Sequence, residues 1–176
     1  MSDDRFACLV IADESEEFPD ALIYAGLLAK RTGWRLLMLR VIEPSDPAPW
    51  ALITDEMRRQ ARAAAESLTQ RFAAEAWAEC GVTAEPLLRD GDLKPELRKL
   101  LEQDHSIKLV VLASASGPGG PGPLVAQLGK SAGLGNRAVP VLVVPGALTR
   151  DEIRALALPV GVPQDASLTP AEQKPT

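Results

Sequence analysis

The chain has 176 residues, a length that fits one domain, and its 46% apolar and 24% charged residues exclude a disordered composition. The formal net charge of −5 argues against a nucleic-acid binder, which presents a basic face. Two cysteines and one histidine cannot supply a usual zinc site, and no apolar run reaches the roughly 18 residues that span a bilayer. The acidic start MSDDRF has no apolar signal core, so a soluble cytoplasmic protein is expected.

Phe6 to Ala12 (FACLVIA) is short, apolar and not alternating, the pattern of a strand buried on both faces. Ala21, Leu22, Ala25, Leu28 and Ala29 then recur at helical spacing, with Pro19 in the first turn and Gly33 placed as a left-handed cap. Leu36 to Ile42 predicts a second strand, and Glu43 to Pro49 a Pro-rich loop. A long helix is predicted from Ile53 to Glu79, with Met57, Ala61, Ala64, Leu68 and Phe72 on one face. Val82 to Leu88 is a less apolar strand, suited to a sheet edge; Gly91-Asp92 leads into a helix from Lys94 to Gln103.

Ile107 to Leu112 predicts a fourth strand, followed by a Gly/Pro-rich loop and a short helical stretch around Leu124 to Leu134. Val139 to Val144 is the fifth strand. Thr149 and Glu152 form a capping-box pattern that starts a short helix ending near Ala157. The domain is therefore expected over residues 1–146, and residues 147–176 as a tail, helical and then disordered. Strands alternating with helices imply an α/β fold, a parallel, doubly wound sheet with right-handed crossovers. In such sheets ligands lie outside the carboxyl ends of the strands, where the strand order reverses.

Asp13, just after the first strand, reads either as a ligand acceptor or as a loop acid capping the next helix. The sequence GGPGPLVAQLGKS ends like a P-loop, but Leu124 stands where that motif requires its first Gly. Gly117, Gly119, Gly120 and Gly122 still allow backbone N–H groups to approach an anion, with Lys130 nearby; a surface connector is the competing reading. His105 reads as an exposed turn residue with no adjacent nucleophile, Ser114, Ser116 and Ser131 lack a partner base, and Asp90 and Asp92 are too few for a metal. Trp50 is expected to pack over a sheet end or border a ligand. No catalytic group or metal site is assigned.

An acid after strand one, RVIEP (Arg40 to Pro44), the Gly-Asp loop after strand three, and a Gly-bearing loop leading to PVLVVPG together resemble the universal stress protein family, in a bacterial subgroup, over Arg5 to Gly146. The resemblance implies an open five-stranded sheet of order 3-2-1-4-5, a stress-response or regulatory role rather than catalysis, and a homodimer formed through the fifth strand at Val139, Val141 and Val143. An exposed apolar edge strand is an aggregation hazard, which a dimer would cover. It also implies an ATP or adenine-nucleotide site at Asp13 (ribose or base), Val41, the backbone of Ala113, Ser116 and Gly117, and Gly129, Lys130 and Ser131 (phosphates). The family's phosphate motif has Gly where Ala113 and Ser116 stand, and three inserted residues displace Gly129. A nucleotide-independent interaction module of the same fold is the alternative; an enzyme acting on a phosphorylated small molecule would need a base or metal cluster that the sequence does not supply.

Overall fold

A computed structural model of the chain describes residues 5–43, 55–116, 120, 122, 125–126 and 137–157. Its elements run β1 (Ala7–Ile11), α1 (Phe18–Thr32), β2 (Arg35–Ile42), α2 (Asp55–Cys80), β3 (Ala84–Asp90), α3 (Leu93–Gln103), β4 (Ile107–Ser114), β5 (Val141–Pro145) and α4 (Arg150–Ala157). The strands form one sheet in the order β3-β2-β1-β4-β5, every pair parallel. Order and class are those expected from the residues and the resemblance.

β1 is buried along its whole length because it has a strand on each edge and helices on each face. Cys8 and Val10 point into a core shared with Phe18, Leu22 and Ala25 of α1 and Phe72 and Ala76 of α2. Ala7, Leu9 and Ile11 point the other way, onto Leu97, Leu100 and Leu101 of α3. This alternation by strand parity makes a continuous apolar run readable as a two-sided core. Phe18 and Phe72 meet edge to face at 4.5 Å between ring centroids, tying α1 to α2.

α1 and α2 approach closely at Gly26. A Cβ there would lie 2.8 Å from the Cys80 Sγ, so any larger residue would require Cys80 to shift. α1 ends at Gly33, whose φ of 71° is left-handed; its N–H and that of Trp34 both turn back to the Ala29 carbonyl.

β3 is an edge strand, as its lower apolar content suggested, and it is guarded. Pro86 offers no N–H for further pairing, and Glu85 forms a two-point ion pair with Arg35, at 2.5 and 3.0 Å. The strand starts and ends two residues later than expected, because its pairing with β2 opens at Leu36–Ala84 and continues to Ile42–Asp90.

Two boundaries around the cleft differ from expectation. β4 runs on to Ser114, so Ala113 is a strand residue paired with Val144 rather than a loop residue. β5 begins at Val141, which leaves Val139 outside the strand. Pro140 has no N–H to enter the ladder, although its carbonyl accepts from Val110 N–H at 3.0 Å. Val139 and Val141 pack toward α3. The helical stretch expected at Leu124 to Leu134 falls almost wholly outside the described residues, where Trp50 and the chain after Ala157 also lie. Val125 and Ala126 are helical. Among the described residues, no helix is long and apolar enough to cross a membrane.

α4 packs onto the fold rather than trailing from it. Ile153 and Ala157 are fully buried against Ile23, Leu27 and Cys80. Arg150 pairs with Asp20 at 2.9 Å and Glu75 at 3.4 Å, and Arg154 with Glu79 at 2.9 Å. The capping box forms as read: Glu152 accepts from the Thr149 N–H and hydroxyl, and its own N–H donates to the Thr149 Oγ1. The backbone and then the hydroxyl of Thr149 hold the Glu152 carboxyl below its usual value. This contribution is therefore present above the unfolded carboxylate pKa and lost as pH falls through the folded one.

Both cysteines are free and buried. Burial pushes the Cys8 thiol up to about 12 and the Cys80 thiol up to about 11, so both are protonated and unreactive near neutral pH. Cys80 lies under α4, whereas Cys8 lies in the central strand. Thiol labelling of the native protein is expected to be slow at both positions. Ile153→Asp should speed labelling of Cys80 by about tenfold or more, the factor given by about 1.4 kcal/mol of local destabilisation, and leave Cys8 protected. Equal acceleration at both thiols, followed by mass spectrometry, would show that α4 does not open on its own.

Candidate functional site

β1 pairs with β2 on one edge and β4 on the other, so the two crossovers leave it in opposite directions and a crevice opens at the strands' carboxyl ends. There the structure has a cleft of about 410 Å³. Ile11, Val41, Leu112 and Ala113 supply apolar wall at the strand ends, Leu93 and Val125 close the sides, and Asp13, Arg40 and Glu43 supply charge. Gly122 contributes backbone.

The cleft brings together Asp13, Val41 and Ala113 among the expected site residues. Ser116 is exposed and does not line it, because β4 extends to Ser114 and carries the chain past the cleft before position 116. Gly117, Gly129, Lys130 and Ser131 lie outside the described residues.

Asp13 does not cap α1. Its Oδ1 accepts from the Ser15 N–H at 3.0 Å and the Ser15 hydroxyl at 2.5 Å, closing a tight turn; the N-cap position of α1 is Glu17, with no side-chain cap. That turn leaves Oδ2 without a hydrogen bond among the described residues. Asp13 therefore closes a turn beside the cleft and does not cap α1.

Two charged cleft residues, Arg40 and Glu43, were not among the expected contacts. Arg40 donates to the Ala12 carbonyl at 3.4 Å and pairs with Glu14. Glu43 accepts from the Leu93 N–H at 3.1 Å, fifty residues away in sequence, and so supplies the cap that Asp92 at the N-cap of α3 does not. RVIEP contains both residues, but only the pairing of β2 with its neighbours shows what they touch. Gly122, one of the glycines read from the sequence as able to approach an anion, also lines the cleft.

The glycine question resolves through backbone geometry. No described non-glycine residue has positive φ, so Ala113 and Ser116 occupy ordinary conformations without strain. After β4, positive φ is found at Gly120 (φ 81°) and Gly122 (φ 87°), where no atom of the described residues would crowd a Cβ.

The remaining candidates are structural. His105 is exposed, and its carbonyl, with those of Asp104 and Ile107, accepts from Arg137. Asp90 pairs with Arg62 at 3.1 Å. Among the described residues no group of three or more His, Cys, Asp or Glu side chains could hold a metal ion.

These features define an open, doubly wound α/β protein with a cleft at its topological switch point. Residues 7–145 match the model of the universal stress protein family, and the chain belongs to that family. Among solved structures it is similar to the universal stress protein UspA from Lactobacillus plantarum, at 19% identity and a TM-score of 0.65, covering 79% of this chain and 97% of that one. It is similar to a universal stress protein in complex with cAMP, at 18% identity and a TM-score of 0.57, covering 79% and 96%. A family member from Arabidopsis thaliana with AMP bound matches at 19% identity and a TM-score of 0.54, covering 84% and 94%. Comparison with curated protein sequences finds no match. The match to the family model ends before α4, so that helix lies beyond the shared region.

Glu43→Ala is expected to lower stability by about 1 kcal/mol in urea unfolding with an unchanged m-value, and Glu43→Gln by less, because its amide oxygen still accepts from Leu93. Equal stability of Glu43→Ala and wild type would remove Glu43 as the cap of α3.

Proposed function

We propose that the chain is a cytoplasmic stress-response or regulatory protein that binds an adenine nucleotide, AMP or ATP, in the switch-point cleft, and that it binds rather than catalyses. One observation carries the reading: Asp13, Val41 and Ala113 come together around a single cleft of about 410 Å³, within the size range of small-molecule sites. The AMP and cAMP complexes of similar folds support it. In this reading Asp13 Oδ2 accepts from a ribose hydroxyl or the base, the Val41 backbone meets the base, and the backbone at Gly122, with Gly129, Lys130 and Ser131, meets phosphate. Asp13, Arg40 and Glu43 are each engaged in a hydrogen bond or ion pair that shapes the chain, which suits a rigid binding site better than a proton-transfer site.

A nucleotide at 100 times its dissociation constant should raise stability by roughly 2.7 kcal/mol. AMP and ATP are therefore expected to raise the melting temperature and to give saturable heats by calorimetry. Gly122→Ala, which forces a side chain into a left-handed backbone, should weaken binding by about tenfold, whereas Ala113→Gly should change it little. No shift with either nucleotide at millimolar concentration would sink the reading.

The second part of the reading is a homodimer through β5. This is an edge strand with the sequence VLVVP, and its outer edge has no partner strand among the described residues. β3 at the other edge carries proline and charge, whereas β5 has only Pro145 at its end, so β5 is the edge that needs covering. The same edge also supports the alternative of a protein-interaction module that needs no nucleotide. Val143→Asp is expected to convert the dimer to monomer in sedimentation velocity with far-UV dichroism retained; an intact dimer would place the contact elsewhere.

A further inference from the structure

Resting on the adenine-nucleotide reading of the cleft, we propose that Arg40 is a positioning residue that sets the Asp13 carboxylate for the ligand. Arg40 reaches from β2 across the end of β1 and grips the chain on both sides of Asp13. One terminal nitrogen donates to the carbonyl of Ala12, the other pairs with the carboxylate of Glu14. Ala12 is also tied to β2 through its N–H, which donates to the Leu39 carbonyl at 2.7 Å. Asp13 is thus the middle residue of a segment clamped at both neighbours, and Ser15 fixes its Oδ1 from within the turn.

The geometry needs a guanidinium. Its planar fork offers two terminal nitrogens with fixed separation and direction, so a carbonyl and a carboxylate flanking one residue can be held together. A lysine ammonium is a point charge without that reach. The ion pair contributes little as an attraction, because Glu14 is 71% exposed and its charge is screened by water. What it provides is direction. The Nε of Arg40 is buried and has no acceptor among the described residues, so these contacts do not satisfy the whole guanidinium. The side chain is placed by the two contacts around Asp13, and the same residue lines the cleft.

The test is a double-mutant cycle of Arg40→Met and Asp13→Asn, with AMP affinity measured by calorimetry and Ser15 amide exchange measured in the free protein. Arg40→Met should weaken AMP by about tenfold when Asp13 is present and by less than about twofold in the Asp13→Asn background, because the arginine acts through the aspartate. Arg40→Lys should resemble Arg40→Met, and Glu14→Gln, a surface change that leaves the core intact, should give an intermediate loss. In the free protein Arg40→Met should remove the exchange protection of the Ser15 N–H while protection in β1 is kept. Equal losses of affinity in the two backgrounds, or Ser15 protection unchanged by Arg40→Met, would overturn the role. If the wild-type protein binds neither AMP nor ATP, the nucleotide reading fails by itself, and Ser15 exchange alone decides whether Arg40 sets Asp13; if it binds only ATP, the same cycle is read with ATP.

Discussion

β1 is paired along both edges and buried on both faces, and the rest of the molecule is arranged around that condition. A strand so enclosed must present apolar side chains in both directions, which divides the core into one part against α1 and α2 and another against α3. It also forces the chain to leave β1 toward one edge of the sheet and return on the other. The crevice at the carboxyl ends of β1, β2 and β4 is a consequence of that reversal. A cleft here requires no special residue to open it; particular residues only determine what it can hold.

Those residues are held from a distance. Glu43 at the end of β2 caps α3, so the helix that walls the cleft and the strand that floors it are joined by one hydrogen bond. Arg40, also on β2, grips the turn after β1. Two residues of one short segment thereby connect three elements around the cleft. On the opposite side of the molecule α4 adds a second closure, with Ile153 and Ala157 buried over α1 and Cys80, and with arginines paired to acids of α1 and α2. α4 lies beyond residues 7–145, the region that matches the family model.

The glycine substitutions show why a motif and a conformation are different things. The resemblance sets Ala113 and Ser116 at positions where the family's phosphate motif is expected to have glycine. Ala113 sits in β4, in an ordinary backbone conformation that needs no glycine. Among the described residues after β4, positive φ is found at Gly120 and Gly122, and Gly122 borders the cleft.

By itself the sequence determined the elements, their parallel arrangement and the general position of the cleft. Five apolar runs separated by helical periodicity are a local signal, and parallel connection follows from the length of the crossovers. It also showed the edge character of β3, the cap at Gly33 and the Thr149–Glu152 box, each of which depends on residues close together in the chain. Only the tertiary structure decided that Asp13 turns onto Ser15 rather than onto α1, that Ser116 stands clear of the cleft, and that Arg40 and Glu43 belong to it. The contacts of Arg40 and Glu43 span 26 to 50 residues and exist because β2 lies between β1 and β3. Side-chain partners of that kind depend on strand order and register, which no local pattern of residue types encodes.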